Sequence, residues 1–470
     1  MSCHKKSKCF RSTPRSVGRR TFLSVAGGLG LGTIVPYFWI PKNVQAKTAG
    51  TASAKHLVYI RLSGGFRFPT AFNANVAAQF NPFGLASGVS GSPQWGVSKL
   101  LEGEGMWLTE ERAEMGLQTV TSIAQDIAVM PCVDHEPLSG SADGNHQTGL
   151  ERFLTGYVGG EVGIFTMLNY GLSERVQEAA DEGKVLLPAV IMGESGMGRG
   201  NGAYAAYRPP VLRGDELGRF AGGAGKDAVP PWARQLSQNL DVQHRDTRNA
   251  NYYAAVDAYL QSRAATRAYQ EILASDALNI ENQSGEVIDG ISNNQLEQIF
   301  GTDRAARDVR LALRLFHFGC PAVYLDQGGY DYHSDEDERL PDSMQGLNHL
   351  LSGLHFALKR MQHPDGGSYW DHTIVACGSE FSRSARGSRF NSAGGSDHGG
   401  DNATRWMSMP FMGGPIRAAG RMIGSTNRDT LAAEGQVYSY RSVMKTMMDA
   451  LGAKHDEFFV ADPVFDELFV

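Results

Sequence analysis

Glu380 and Arg383 stand three residues apart, just beyond the apolar run Thr373-Ile374-Val375-Ala376-Cys377. A Ser/Gly/Arg-rich loop then delivers Asp397-His398. A carboxylate, a guanidinium and an Asp-His pair gathered beyond one strand suggest a site for a metal and an anion, because ligands of open α/β sheets bind outside the carboxyl ends of the strands. The alternative is a surface loop with a buried ion pair. Two more loops carry similar groups. One runs from Asp134-His135-Glu136 to Asn145-His146, and the other is Asp331-Tyr332-His333. Each motif alone is weak, and the acidic run Asp335-Glu336-Asp337-Glu338 reads as a solvated face. The ordered set carries the argument, since carboxylate oxygens suit hard divalent cations and imidazole suits zinc or manganese.

These loops need elements that bring them to one edge. His56 to Leu62 reads as a first strand, ending in the turn Ser63-Gly64-Gly65, where backbone can approach a ligand closely. Ile127 to Met130, a segment within Lys184 to Met192, Pro321 to Leu325 and Thr373 to Cys377 read as further strands. Helices are expected at Glu110 to Ala124, Gln147 to Leu154, Tyr252 to Ala274, Asp303 to Phe318 and near Ser442 to Leu451. Met344, Leu347, Leu351, Leu354, Leu358 and Met361 alternate in threes and fours, which is one apolar helix face. His349, His355, His363 and His372, on or beside that helix, read as structural. Strands alternating with helices predict a doubly wound α/β domain, with a mostly parallel sheet flanked by helices.

At 470 residues the chain can bury a large core. A single domain is expected over 47–470, with a Gly/Pro-rich insertion at about 193–238 near the mouth of the site. Residues 1–46 hold eight Lys and Arg and no acid; without them 36 basic residues face 50 acidic ones. So acidic a body argues against a nucleic-acid partner. Cys132, Cys320 and Cys377 lie in or beside apolar runs and have no zinc spacing, which predicts buried free thiols.

Gly18-Arg19-Arg20-Thr21-Phe22-Leu23 opens a glycine-rich apolar stretch, Phe22 to Ile40, and Val44-Gln45-Ala46 reads as a small-residue cleavage site. It resembles a twin-arginine export signal. That implies the twin-arginine export machinery as a partner, a periplasmic or extracellular location, and no membrane attachment once the signal is cleaved. A retained membrane anchor is the alternative.

With the Arg-Arg signal, the motifs Leu62-Ser63-Gly64-Gly65, Gly329-Tyr330-Asp331-Tyr332-His333, Ser379-Glu380-Phe381-Ser382-Arg383 and Asp397-His398, followed by Met412-Gly413-Gly414, occur in the order seen in exported bacterial proteins of domain of unknown function 1501. The chain resembles that family, which is similar to the alkaline phosphatase and sulfatase superfamily. The resemblance implies that fold. It also implies metal ligands at Asp331, His333, Glu380, Asp397 and His398, for zinc, calcium, magnesium or manganese. Counting back nine residues from Thr155-Gly156, as in sulfatases, reaches His146, which implies imidazole in the nucleophile slot. Where the family has Asn-Asp after the double glycine, this chain has Phe66-Arg67, so one metal carboxylate is missing.

The expectation is an exported metal-dependent hydrolase of phosphate or sulfate esters. His146, as nucleophile, general base or extra ligand, and Arg383, clamping the anionic ester, would be its catalytic groups, and Arg67 and Ser63 would also contact the anion. A degenerate, non-catalytic binding protein of the periplasm or cell surface is the alternative.

Overall fold

The structure is a computed structural model that describes residues 52–89, 91–135, 145–182, 186–193, 198–214, 272, 275–283, 287–383, 398 and 406–470. The Arg19-Arg20 segment, Asp397, most of the expected insertion and all of the expected Tyr252–Ala274 helix but Ile272 lie outside the described residues.

The strands in chain order are β1 (His56–Leu62), β2 (Ile127–Asp134), β3 (Val190–Met192), β4 (Val211–Leu212), β5 (Ala322–Gln327), β6 (Thr373–Gly378), β7 (Trp406–Met412), β8 (Ser425–Thr426), β9 (Ala433–Glu434) and β10 (Tyr438–Ser439). The main sheet has the order β10-β2-β7-β6-β1-β5-β3-β4. β1 pairs in parallel with β5 and with β6, placing Arg61 opposite Asp326 on one side and Gly378 on the other. The sheet is mostly parallel, with β7 antiparallel to both β2 and β6.

β7 was not read from the sequence. Its Pro410 argues against an interior strand, since proline cannot donate to the ladder. Here it sits opposite Val129, and the β2–β7 register shifts between Met130 and Val133.

The helices are α1 (Glu110–Met115), α2 (His146–Thr155), α3 (Ile164–Gly171), α4 (Ser173–Asp181), α5 (Asn293–Phe300), α6 (Arg304–His317), α7 (Glu336–Arg360), α8 (Tyr369–His372) and α9 (Tyr440–Ala450). The apolar stripe of α7 is buried as its spacing requires: Met344, Leu347, Leu351, Leu354 and Leu358 are each at most 2% exposed. The helix expected over Glu110–Ala124 stops at Met115, because Gly116 takes a left-handed φ of 98° and caps it. α6 starts where Asp303 accepts a hydrogen bond from the Ala306 amide. Cys132, Cys320 and Cys377 are buried free thiols, as expected.

The carboxyl ends of β1, β5 and β6 meet at one point. The Ser379 hydroxyl donates to the Leu62 carbonyl at 2.6 Å, and the Phe66 amide to the Phe381 carbonyl at 3.1 Å. Gly64 has φ 109°, and a Cβ there would lie 2.5 Å from the Asp331 nitrogen. A side chain at Gly65 would run into the Phe381 ring. Both glycines are therefore required for the β1, β5 and β6 loops to touch.

Candidate metal centre

His146 opens α2. Asn145 precedes it in extended conformation, and its side chain accepts from the amides of Gln147 and Thr148. Asp331 and His333 follow β5, and Glu380 follows β6. An isolated antiparallel bridge between Arg383 and His398 returns the later loop to the same place.

The imidazoles and carboxylates of these loops converge. His146 Nε2 lies 3.3 Å from Asp331 Oδ2. His333 Nε2 and His398 Nε2 lie 3.2 and 3.5 Å from Asp331 Oδ1. The ring centroids of His146 and His398 are 4.3 Å apart, those of His333 and His398 4.7 Å. One ligand atom from each of His146, Asp331 and His398 falls within 4.8 Å of the others. That separation suits one cation at bonds of about 2.0–2.6 Å.

Glu380 stands behind the group rather than in it. Its side chain is 1% exposed, while that of Asp331 is 47% exposed. Glu380 Oε1 accepts from the Gly64 amide at 2.7 Å and lies 3.4 Å from His146 Nδ1. Arg61 Nε donates to Oε2 at 3.2 Å, and Arg61 Nη1 reaches Asp326 at 2.9 Å. Burial opposes ionisation of Glu380, but the His146 hydrogen bond and then Arg61 outweigh it and hold the carboxyl at about 2. The Glu380 hydrogen bond raises the His146 pKa against partial burial. Burial, followed by the charges of His146, Arg383 and His333, lowers that of His398.

Arg383 is fully buried. Its guanidinium donates to the carbonyls of Gly65 at 2.8 Å, Tyr332 at 2.7 Å and Gly64 at 2.7 Å, and pairs with Asp331. Partial burial of Asp331 is outweighed by Arg383 and then His146, which hold its carboxyl below the usual range. With these contacts Arg383 fixes the Asp331 loop.

Arg67 also has a protein partner. It is buried and pairs with Glu336 at 3.2 Å, both side chains being 2% exposed or less. Glu336 thus leaves the solvated acidic face expected for Asp335 to Glu338, because the Arg67 charge needs a buried counter-ion. Ser63 takes part through its backbone: its amide donates to Gln327 and its carbonyl accepts from Tyr330.

Arg61 was not singled out from the sequence, and Phe381 only as part of the motif Ser379-Glu380-Phe381-Ser382-Arg383. The signal for Arg61 was a lone charge inside an apolar strand, which demands a partner. Phe381 packs its ring 5.0 Å from that of His146 and 4.8 Å from that of His398.

Fold and site define an α/β protein with a candidate metal centre at the carboxyl edge of its sheet. Residues 101–462 match the model of the family described as "Protein of unknown function (DUF1501)", and the chain belongs to that family. No curated protein matches it.

Proposed function

We propose that this chain is an exported hydrolase of phosphate or sulfate esters that works with one divalent cation, on a scaffold related to alkaline phosphatases and sulfatases. The observation that carries the reading is the convergence of His146, Asp331 and His398, with Glu380 behind His146. A histidine whose far nitrogen meets a carboxylate is the usual arrangement of a metal-ligating imidazole.

In this reading His146 is a ligand rather than a nucleophile, because its two nitrogens face Glu380 and Asp331. His333 is half exposed beside Asp331 and is the group left to pass a proton to the leaving oxygen. Arg383 keeps Asp331 in place. A bound cation supplies a Lewis acid and a water acidified toward neutral pH. The buried Arg67–Glu336 pair, where the family carries Asn-Asp, favours one cation over two.

A second reading has its own support. Arg67 and Arg383 are both committed inside the protein, so neither offers a free guanidinium to an ester anion. That favours a metal-holding binding protein without turnover. Assay of 4-nitrophenyl phosphate and 4-nitrophenyl sulfate on the metal-loaded chain separates the two. Turnover that disappears in His398→Ala supports the hydrolase, and bound metal without turnover on any ester defeats it.

A further inference from the structure

A cavity of about 670 Å³ opens beside the candidate metal centre, one strand further along the same sheet edge. Asp326 and Gln327 at the end of β5 and Met192 and Gly193 at the end of β3 line it. The first turn of α6 and Gly346, His349 and Leu350 of α7 close it. Its size is that of a small-molecule site. None of the clustered histidines or carboxylates lines it, yet Arg61 joins the two, holding Asp326 on the cavity side and Glu380 on the other. Two strand spacings, about 10 Å, separate the β5 and β6 positions.

We propose that this cavity binds an uncharged polyhydroxyl group, a saccharide, which is the alcohol portion of the ester hydrolysed at the metal centre. The substrate assignment rests on the hydrolase reading; the cavity's preference for a saccharide does not. The cavity carries both signs of charge, and much of it is already paired within the protein. Asp308 accepts from the Gly214 amide at 2.7 Å, Arg213 donates to the Gly193 carbonyl at 2.9 Å, and Asp326 holds Arg61. Such a wall sets up no strong field for an anion or a cation. It suits hydroxyls, which donate and accept at once.

Two details identify where the ligand sits. Gln327 lines the cavity, and its buried Oε1 has no hydrogen-bond partner among the described residues, so a turn of the side chain toward the cavity would let a ligand hydroxyl satisfy it. Gly346 lies inside α7, where glycine costs about 1 kcal/mol relative to alanine. Its φ is not in the left-handed region, and a Cβ there would meet only Gln327 Nε2, at 3.1 Å. That contact is tighter than an ordinary one, so glycine at this position is what lets the Gln327 amide lie close against α7 at the cavity wall. Phe300 and His349 also line the cavity, with the His349 ring held by stacking on Trp107 at 5.3 Å, so the wall there is rigid and partly apolar.

Saturation-transfer NMR of the full chain with maltose, cellobiose, lactose and chitobiose tests this. None of the four is an ester, so binding is read apart from hydrolysis. At least one should give ring-proton signals with the wild type and with His398→Ala. The signals should fall at least tenfold in Gly346→Phe and in Leu350→Trp, which fill the cavity. Where circular dichroism finds a filled variant unfolded, Gln327→Leu takes its place, removing the acceptor at similar volume. No signal from any of the four with the wild type, or undiminished signals in the folded variants, overturns the proposal. Binding kept in a chain that hydrolyses no ester would strike the hydrolase reading and the substrate role, leaving the saccharide cavity standing.

Discussion

Nδ1 of His146 lies 3.4 Å from Oε1 of Glu380, while the other nitrogen of the same ring faces Asp331. The two carboxylates differ in kind. Glu380 is buried, ionised and anchored by Arg61 and the Gly64 amide, whereas Asp331 is half exposed. A ring held from behind in this way presents Nε2 outward in one tautomer.

Glu380→Gln should therefore weaken metal binding by about 10–100-fold while leaving the fold intact, because the carboxylate that orients and polarises the imidazole is gone. Competition with a chelating dye measures this. Unchanged affinity would show that Glu380 serves only to hold Arg61.

Gly64→Ala should destabilise the protein by about 1–3 kcal/mol through backbone strain at φ 109°, and should also displace Asp331, whose nitrogen the new Cβ would crowd. Urea unfolding gives the first effect and metal affinity the second. A loss of stability with metal affinity untouched would mean that the loop relaxes without moving Asp331.

The strands that build the site were legible because β1, β2, β5 and β6 are short buried runs bounded by glycine or polar residues. α7 was legible because its apolar residues keep one face through its length. The loops holding His146, Asp331, His333, Glu380 and His398 could be named from their place after strands. Their roles could not, because burial decides role. Glu380 and Asp331 look alike in sequence, yet one is enclosed and the other open. Glu336 was misread as solvated, and the partners of Arg67 and Arg383 could not be named, for the same reason: a charged residue in a loop reads as exposed until its buried partner is known. β7 was missed because a proline inside a strand argues locally against what its two neighbours enforce.

The Arg67–Glu336 pair gives a double-mutant test. Arg67→Met alone should cost about 3–5 kcal/mol, since it leaves Glu336 buried without its counter-ion. Adding Glu336→Leu should recover most of that loss, as read from denaturant midpoints. Additive losses in the double variant would mean that the two side chains do not depend on each other.

His56 gives the pH test. Its Nδ1 lies 2.8 Å from the Cys320 carbonyl and its Nε2 3.2 Å from His363 Nε2. Burial first, opposed by the Cys320 hydrogen bond, then the charges of His363, Arg175 and His372, brings its pKa down to about 3. Unfolded, the ring titrates at about 6.5. The unfolded chain therefore binds the extra proton between these values, and stability falls as pH drops from about 6.5 toward 3. The melting temperature should fall from pH 7 to pH 4, and His56→Phe should flatten that slope whatever its starting value. Parallel slopes in the two proteins would contradict this account of His56.

Elemental analysis of the purified protein, with the zinc, manganese, magnesium and calcium content measured per chain, tests the central claim most directly. The account predicts about one divalent ion per wild-type chain, near zero in His398→Ala and in Asp331→Ala, and unchanged circular dichroism in all three. A wild-type chain without metal after incubation with each of the four cations, or a full complement in both alanine variants, would contradict it.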